Sequence, residues 1–405
     1  MAPGTDRRYR CEVPQSALVA QSALRGCVSV TTDLDSLACE WEELAERVDG
    51  SPFLRPGWIL PWLRAFGTGT PEAITVRRGD ELVAVLPMQR KRGRLTSAAN
   101  WHSPVFGPLV ADEEARDTLL EGLFDGGRPS VELSLLHGET DLAAQIESSA
   151  RQAGRLVMER PITACPVVDL AGCFEDYERR LSRNRRKSLR RGRRALEEQG
   201  HVTFEVHEGR EGLDSELEDI FRVEGCGWKG KRGSAIASQS ATTAFYTDVA
   251  HWAASRGWLR LSSLRLDGRT IACDYSIEFQ GSWYSLKSGY DEDYRSLGPG
   301  ALLLREQLRH CFETGASCFE LLGTEDAFKL SWTDRSCERM RVHSFDRSPA
   351  GLVHWSRATG RESLRPAVHW LRRHLRDQVN KAHNMFASAL AAWDSLGLEA
   401  LQVAA

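Results

Sequence analysis

The segment GYDEDYRSLGPGALLLREQLRHCFETGASCFELLG, Gly289 to Gly323, orders a strand end, a glycine turn, a helix and a second strand. A strand is expected just before it, Trp283 to Ser288. Leu302, Leu303, Leu304, Leu308 and Phe312 then give helical spacing from Ala301 to Thr314, which Gly315 is placed to stop. Between strand and helix stand Arg295, Gly298 and Gly300, spaced R-x-x-G-x-G. Such a turn suits an anion: glycines let the backbone approach a ligand, the first helical turn offers unpaired N–H groups, and the helix dipole favours negative charge. A pyrophosphate fits that description, although a G-P-G turn also starts helices that bind nothing.

Working outward, the same arrangement occurs twice. In the first half a strand from Val28 leads into an amphipathic helix with Leu37, Trp41, Leu44 and Val48 on one face, capped by Asp35 or Ser36. The Pro-interrupted PFLRPGWILPWLRAFG predicts a short helix with loops. ITVRRGDELVAVLPMQR predicts a hairpin turning at Gly79 and Asp80, and helices are expected over 113–124 and 141–153 around the strand VELSLL. After residue 165 the order returns. A strand, a long helix Phe174–Gln199, a strand, helices over 212–223 and 243–256, and a second hairpin turning at Asp267 and Gly268 lead to the glycine turn. The first copy has no such turn, so only the second is equipped for a cofactor. The expected fold is α/β (α+β): tandem domains, mixed sheets flanked by helices, divided into a disordered tail 1–25, a first domain 26–165, a second 166–348 and a helical extension 349–405.

The quoted turn resembles the acyl-CoA pyrophosphate loop, Q/R-x-x-G-x-G/A, of the GNAT N-acetyltransferases. LRLSSLRLDGRTIACDYSIEF, GSWYSLKSGYDEDYRSLGPG and FELLGTEDAFKLSW more specifically resemble the cellulose-biosynthesis type of acetyltransferase in that superfamily, which is related to the FemX-like aminoacyl transferases. The similarity runs from about Gly26 to Phe345. It implies tandem GNAT-like domains, acetyl-CoA or another acyl-CoA as donor, and pyrophosphate contacts from Arg295, Ser296, Leu297, Gly298, Gly300 and Ala301. The acceptor would be an amine of a small molecule, saccharide or peptide.

An amine attacking a thioester needs a group to take its proton and a donor for the oxyanion. Asp274 alternates with Ser276 and Glu278 on the polar face of its strand, opposite Ile271, Cys273, Tyr275, Ile277 and Phe279, where it is a candidate base or amine anchor. Tyr290 or Tyr294 is placed to protonate the departing thiolate. The resemblance also directs attention to Glu325, Lys329 and Trp332, expected to share one face of a short helix, and to Glu224, Trp228 and Lys229 beside a Gly- and Lys-rich loop suited to a lid. For each of these a solvated surface or a packing role is the plain alternative.

Net charge is −3 across 405 residues, yet the 16 residues Arg179–Arg194 carry ten positive charges and no negative one; taking those ten away leaves −13 on the remainder. Leu181, Leu189 and Leu196 supply a stripe by which this basic helix can dock with its arginines outward. Those arginines would attract an anionic cofactor, or bind phosphates of RNA in an aminoacyl-tRNA-dependent transferase or a non-catalytic anion- or nucleic-acid-binding protein. Ten scattered cysteines without a C-x-x-C pair, and dispersed histidines, predict neither a disulfide framework nor a metal. The first residues show no apolar signal region and no run of apolar residues is long enough to span a bilayer, so a cytoplasmic protein is expected.

Overall fold

A computed structural model describes residues 26–125, 127–226, 233 and 235–360. The expected tail and most of the helical extension lie outside these residues. The chain divides into two units, one ending at Asp346 and one beginning at Arg347, whose described part is a helix over 349–360. No described helix is long and apolar enough to cross a membrane.

In the first unit the chain runs β1 (Cys27–Thr31), α1 (Leu34–Arg47), α2 (Pro56–Phe66), β2 (Thr70–Arg78), β3 (Glu81–Lys91), β4 (Arg94–Ser97), β5 (Leu109–Val110), α3 (Glu113–Asp125), β6 (Ser130–His137), α4 (Leu142–Gln152) and β7 (Leu156–Asp169). The second half continues α5 (Phe174–Arg180), α6 (Arg183–Glu197), β8 (Val202–His207), α7 (Leu213–Cys226), α8 (Ser240–Ser255), β9 (Leu259–Leu266), β10 (Arg269–Phe279), β11 (Ser282–Tyr290), α9 (Pro299–Thr314), β12 (Cys318–Glu320) and β13 (Ser336–Phe345). Both expected hairpins form, β2–β3 around Gly79 (φ +61°) and β9–β10 around Asp267 and Gly268 (φ +48° and +81°). Left-handed backbone at these positions is what a tight turn asks of glycine. The mixed α/β architecture, one large mixed sheet flanked by helices, agrees with the expected fold class.

Three local expectations change. The basic helix is not continuous from Phe174: it breaks at Leu181 and Ser182, both extended, and restarts where the Ser182 side chain accepts from Arg185 N–H. That cap also leaves the ten charges on two helices. In α1 the cap is Asp33, accepting from Ser36 N–H, rather than Asp35 or Ser36. PGWILPWLRAF, despite Pro61, is an eleven-residue helix that starts at Pro56, where the missing N–H costs nothing.

All described strands belong to one sheet, in the order β1-β2-β3-β4-β6-β13-β7-β12-β11-β10-β9-β8, with β5 beside β3. The centre explains why the sheet is undivided. β7 closes the first half in sequence, yet its C-terminal end pairs with β12 (Val168 with Phe319), while β13, last in sequence, lies between β6 and β7. The halves therefore exchange their last strands, and residue 165, where the sequence divides, lies inside β7. Parallel pairing occurs at β4–β6 and β11–β12, the equivalent place in each half.

Two apolar clusters form. One fills the first half and continues beneath α7 and α8; the other lies on the opposite face of β9–β12 beneath α5, α6 and α9. β10 is buried on both faces, so its alternation separates two cores rather than core from solvent. A bulge between Thr270 and Ala272 also moves Ile271 into the second cluster, away from Cys273, Tyr275 and Ile277.

Candidate active site

β11 runs alongside β12 only from Ser282 to Tyr284; beyond Tyr284 the two strands pair no further. From there β11 carries Lys287 and Gly289 on one face and ends at Tyr290, and the chain turns through a 3-10 segment, Glu292–Leu297, into α9. Gly298 stands between the two helices in left-handed conformation (φ +68°, ψ +45°), and Pro299 occupies the first helical position. The N–H groups of Ala301 and Leu302 return to the Gly298 carbonyl, and that of Gly300 has no partner among the described residues. Pro299 removes one further donor, so the turn offers fewer N–H groups than an all-glycine loop would. Arg295 is exposed on this turn and forms no side-chain bond among the described residues, which leaves its guanidinium for a ligand. A Cβ built on Gly300 meets the Tyr290 ring at 3.3 Å, so Tyr290 lies across the helix start. The turn thus unites Tyr290, Arg295, Ser296, Leu297, Gly298, Gly300 and Ala301.

The basic helix α6 is tied to the same turn. A Cβ on Gly192 would lie 2.3 Å from the Leu297 carbonyl oxygen, so helix and turn touch through glycine. Leu181, Leu189 and Leu196 are buried as the docking stripe requires. At its N-terminal end Arg185 bonds the Ser331 hydroxyl and lies over the rings of Phe328 (5.3 Å) and Trp332 (5.0 Å).

Across β11, on the α7 and α8 side, a second group assembles. Glu224, on α7, is 1% exposed, and its Oε2 accepts from Ile236 N–H at 2.8 Å. A Cβ on Gly289 would stand 2.4 Å from Glu224 Cα, so only glycine lets α7 approach β11 this closely. Two residues earlier, the ammonium of Lys287 sits 3.9 Å from the centre of the Trp101 ring and 5.5 Å from that of Tyr246. Trp101 is 66% exposed, and the neighbouring His102 is buried, its Nδ1 3.0 Å from Tyr246 Oη. Burial first, and then the Lys287 charge, push His102 down to about 3, so the imidazole is neutral. Burial holds the Tyr246 hydroxyl far above its ordinary range. Trp101 and His102 come from the first half, which supplies a wall here. Arg339 secures it: this buried guanidinium donates to the Pro104 carbonyl (2.8 Å) and to Glu320 on β12 (2.5 Å).

The other sequence candidates fall elsewhere. Asp274 is 1% exposed beneath the α9 side of the sheet, where it accepts from Ser276 and from Ser285 (2.5 Å). Its carboxylate is enclosed by hydroxyls rather than open to an amine. The helix expected to present Glu325, Lys329 and Trp332 on one face is only a 3-10 turn, Lys329–Ser331. Asp326 caps it, Lys329 Nζ turns back to the carbonyls of Leu322 (2.5 Å) and Thr324 (3.2 Å), Trp332 is buried, and Glu325 points outward. Lys329 thereby clamps the end of β12. Trp228 and Lys229 lie outside the described residues. Lys287, Trp101, His102 and Tyr246 escaped the sequence reading; the paired serines flanking a lone lysine in WYSLKSGY were the only local sign.

Among the described residues His137, Glu139 and Cys337 bring ligand-type atoms within 4.8 Å of one another. Arg339 donates to Cys337 Sγ and Arg335 to Glu139, so two cations already occupy that surrounding. A groove on the first half, lined by Asp117, Glu121, Gln145 and Gln152, contains no residue of either group above.

One substitution tests the second group directly. Gly289→Ala should force α7 off β11, at a cost of about 1–3 kcal/mol for an overpacked contact. Thermal denaturation measures that loss.

No curated protein matches the chain. The solved structure of FemX shares its fold, with a TM-score of 0.51 and 12% identity over 74% of this chain and 95% of that chain. L-PGS from Bacillus licheniformis (TM-score 0.49, 14% identity, 80% and 96% covered) and a tandem GNAT protein from the clavulanic acid biosynthesis pathway (0.41, 12%, 80% and 100%) are also similar. Residues 183–330, from the first residue of α6 to the 3-10 turn that follows β12, match the family model of the acetyltransferase (GNAT) domain.

Proposed function

We propose that this protein is an acyl-CoA-dependent N-acyltransferase of the cellulose-biosynthesis acetyltransferase type, acting on an amine of a small molecule, saccharide or peptide. The observation that carries the reading is the placement of two groups on one strand: the Gly298 turn with Arg295 follows the end of β11, and Glu224, Lys287 and Trp101 gather on one face of the same strand. A donor held by its pyrophosphate at the turn would extend its thioester along the edge of β11 beyond Tyr284, which β12 no longer covers. Glu224 takes the proton as the amine attacks the thioester carbon; the C–N bond forms, the C–S bond breaks, and the thiolate leaves with a proton from Tyr290 or solvent. Trp101 and Lys287 position the acceptor.

The deciding experiment is titration of the intact protein with CoA and acetyl-CoA by calorimetry, followed by CoA release in the presence of a panel of amino sugars, amino acids and short peptides. Saturable CoA binding with amine-dependent CoA release is expected. Absence of CoA binding, with aminoacyl-tRNA bound and consumed instead, would transfer the same site to a tRNA-borne donor.

A further inference from the structure

The face of β11 that carries Lys287 and Gly289 gathers two opposite charges. Residues two apart on a strand are separated by about 7 Å, and α7 brings Glu224 against the Gly289 position. The Glu224 carboxylate and the Lys287 ammonium thus belong to a patch that one small molecule covers. Both residues are buried, 1% and 6% exposed. The polar groups beside the ammonium are neutral: His102 and Tyr246 bond each other at 3.0 Å, burial and then the Lys287 charge hold the imidazole down at about 3, and burial keeps the phenol protonated. Tyr275, directly across from Lys287 on β10, gives its hydroxyl to the Tyr246 carbonyl (3.0 Å). Asp274, next to Tyr275 in the chain, points to the other side of the sheet, towards Ser276 and Ser285.

Trp101 completes the patch. Its ring lies against His102 (centres 3.6 Å apart) and over the Lys287 ammonium (3.9 Å), yet the residue is 66% exposed. An exposed indole beside a buried ammonium offers a single ligand both an apolar surface and a positive charge. We propose that the acceptor is a small amine that carries its own anionic group, a carboxylate or a phosphate: the amine meets Glu224, the anion meets Lys287, and the body of the molecule lies against Trp101. This rests on the acyl-transfer reading above and narrows its acceptor. An amine without the acid brings only its own positive charge towards Lys287 until it is deprotonated. The anion instead gains a charge-assisted hydrogen bond from an ammonium with three N–H donors. Lys287 therefore sets specificity, while Glu224 handles the proton.

The test uses the full chain at saturating acetyl-CoA and acceptors matched in pairs: glucosamine 6-phosphate against glucosamine, and leucine against leucinamide. In at least one pair the acid-bearing member should have a KM lower by about tenfold or more, the worth of a hydrogen bond to a charged group, at similar kcat. The pair that shows it distinguishes phosphate from carboxylate. Lys287→Gln should erase the preference by raising KM for the acid-bearing member alone, and Lys287→Arg, which keeps the charge, should retain most of it. Equal KM within both pairs would overturn the proposal and leave acyl transfer standing, and that comparison needs no variant. A preference that survives in Lys287→Gln, folded by circular dichroism, would also overturn it. CoA release with no amine at all would overturn the acyl-transfer reading, and this inference with it.

Discussion

Glu224→Gln should reduce the turnover of acyl transfer by about two to four orders of magnitude, the range for removal of a general base, and leave CoA affinity unchanged. The substitution is conservative in shape and keeps an oxygen to accept from Ile236 N–H, so α7 and its contact with Gly289 should persist. What it removes is the ability to hold a proton. Of the sequence candidates for a base among the described residues, Glu224 alone combines burial with a position on the same face of β11 as Lys287. Asp274 supplies the contrast: Asp274→Asn disturbs an enclosed carboxylate held by two serine hydroxyls, so its effect should appear chiefly in thermal stability. The measurement is steady-state release of CoA with whichever amine the unaltered enzyme accepts, beside calorimetry with CoA. Unreduced turnover in folded Glu224→Gln would remove Glu224 from the chemistry and leave the donor site untouched.

Gly300→Asp should abolish CoA binding, weakening it by at least about 100-fold, some 2.7 kcal/mol. The carboxylate would stand in the first turn of α9, between the helix mouth and the Tyr290 ring, competing for the Gly300 N–H and repelling a pyrophosphate. An acidic residue in a first turn is favourable to a helix, so the protein should fold; the 3.3 Å approach to Tyr290 requires only a small shift of the ring. Gly300→Ala isolates that steric part and should cost no more than a few-fold in affinity. Calorimetry on both variants, with circular dichroism to establish folding, decides the point. Undiminished affinity in folded Gly300→Asp would show that the donor binds elsewhere.

The elements that were legible beforehand are those whose cause lies within a few residues. Two hairpins followed from Gly at left-handed turn positions, α9 from leucine spacing ended by Gly315, and the buried stripe of the basic helix from Leu181, Leu189 and Leu196. The repeat of strand, helices, three strands, helix and strand was visible for the same reason. The glycine turn could be located, with its residues in order, because turn chemistry is local.

Only the tertiary structure decided how the halves share their strands and what surrounds Glu224. The exchange of β7 and β13 is a matter of long-range register, for which neighbouring residues carry no code; either strand would satisfy its own alternation beside other partners. Trp101 in a proline-containing loop and Lys287 in a strand are each unremarkable in sequence, and they meet because Arg339 ties that loop to β12 across the exchanged strands. The same physics explains the expected face of Glu325, Lys329 and Trp332. Helical spacing is necessary for a shared face, but a Lys that satisfies two carbonyls and a Trp buried beneath Arg185 lower the free energy of a 3-10 turn instead, and tertiary packing outweighs local propensity.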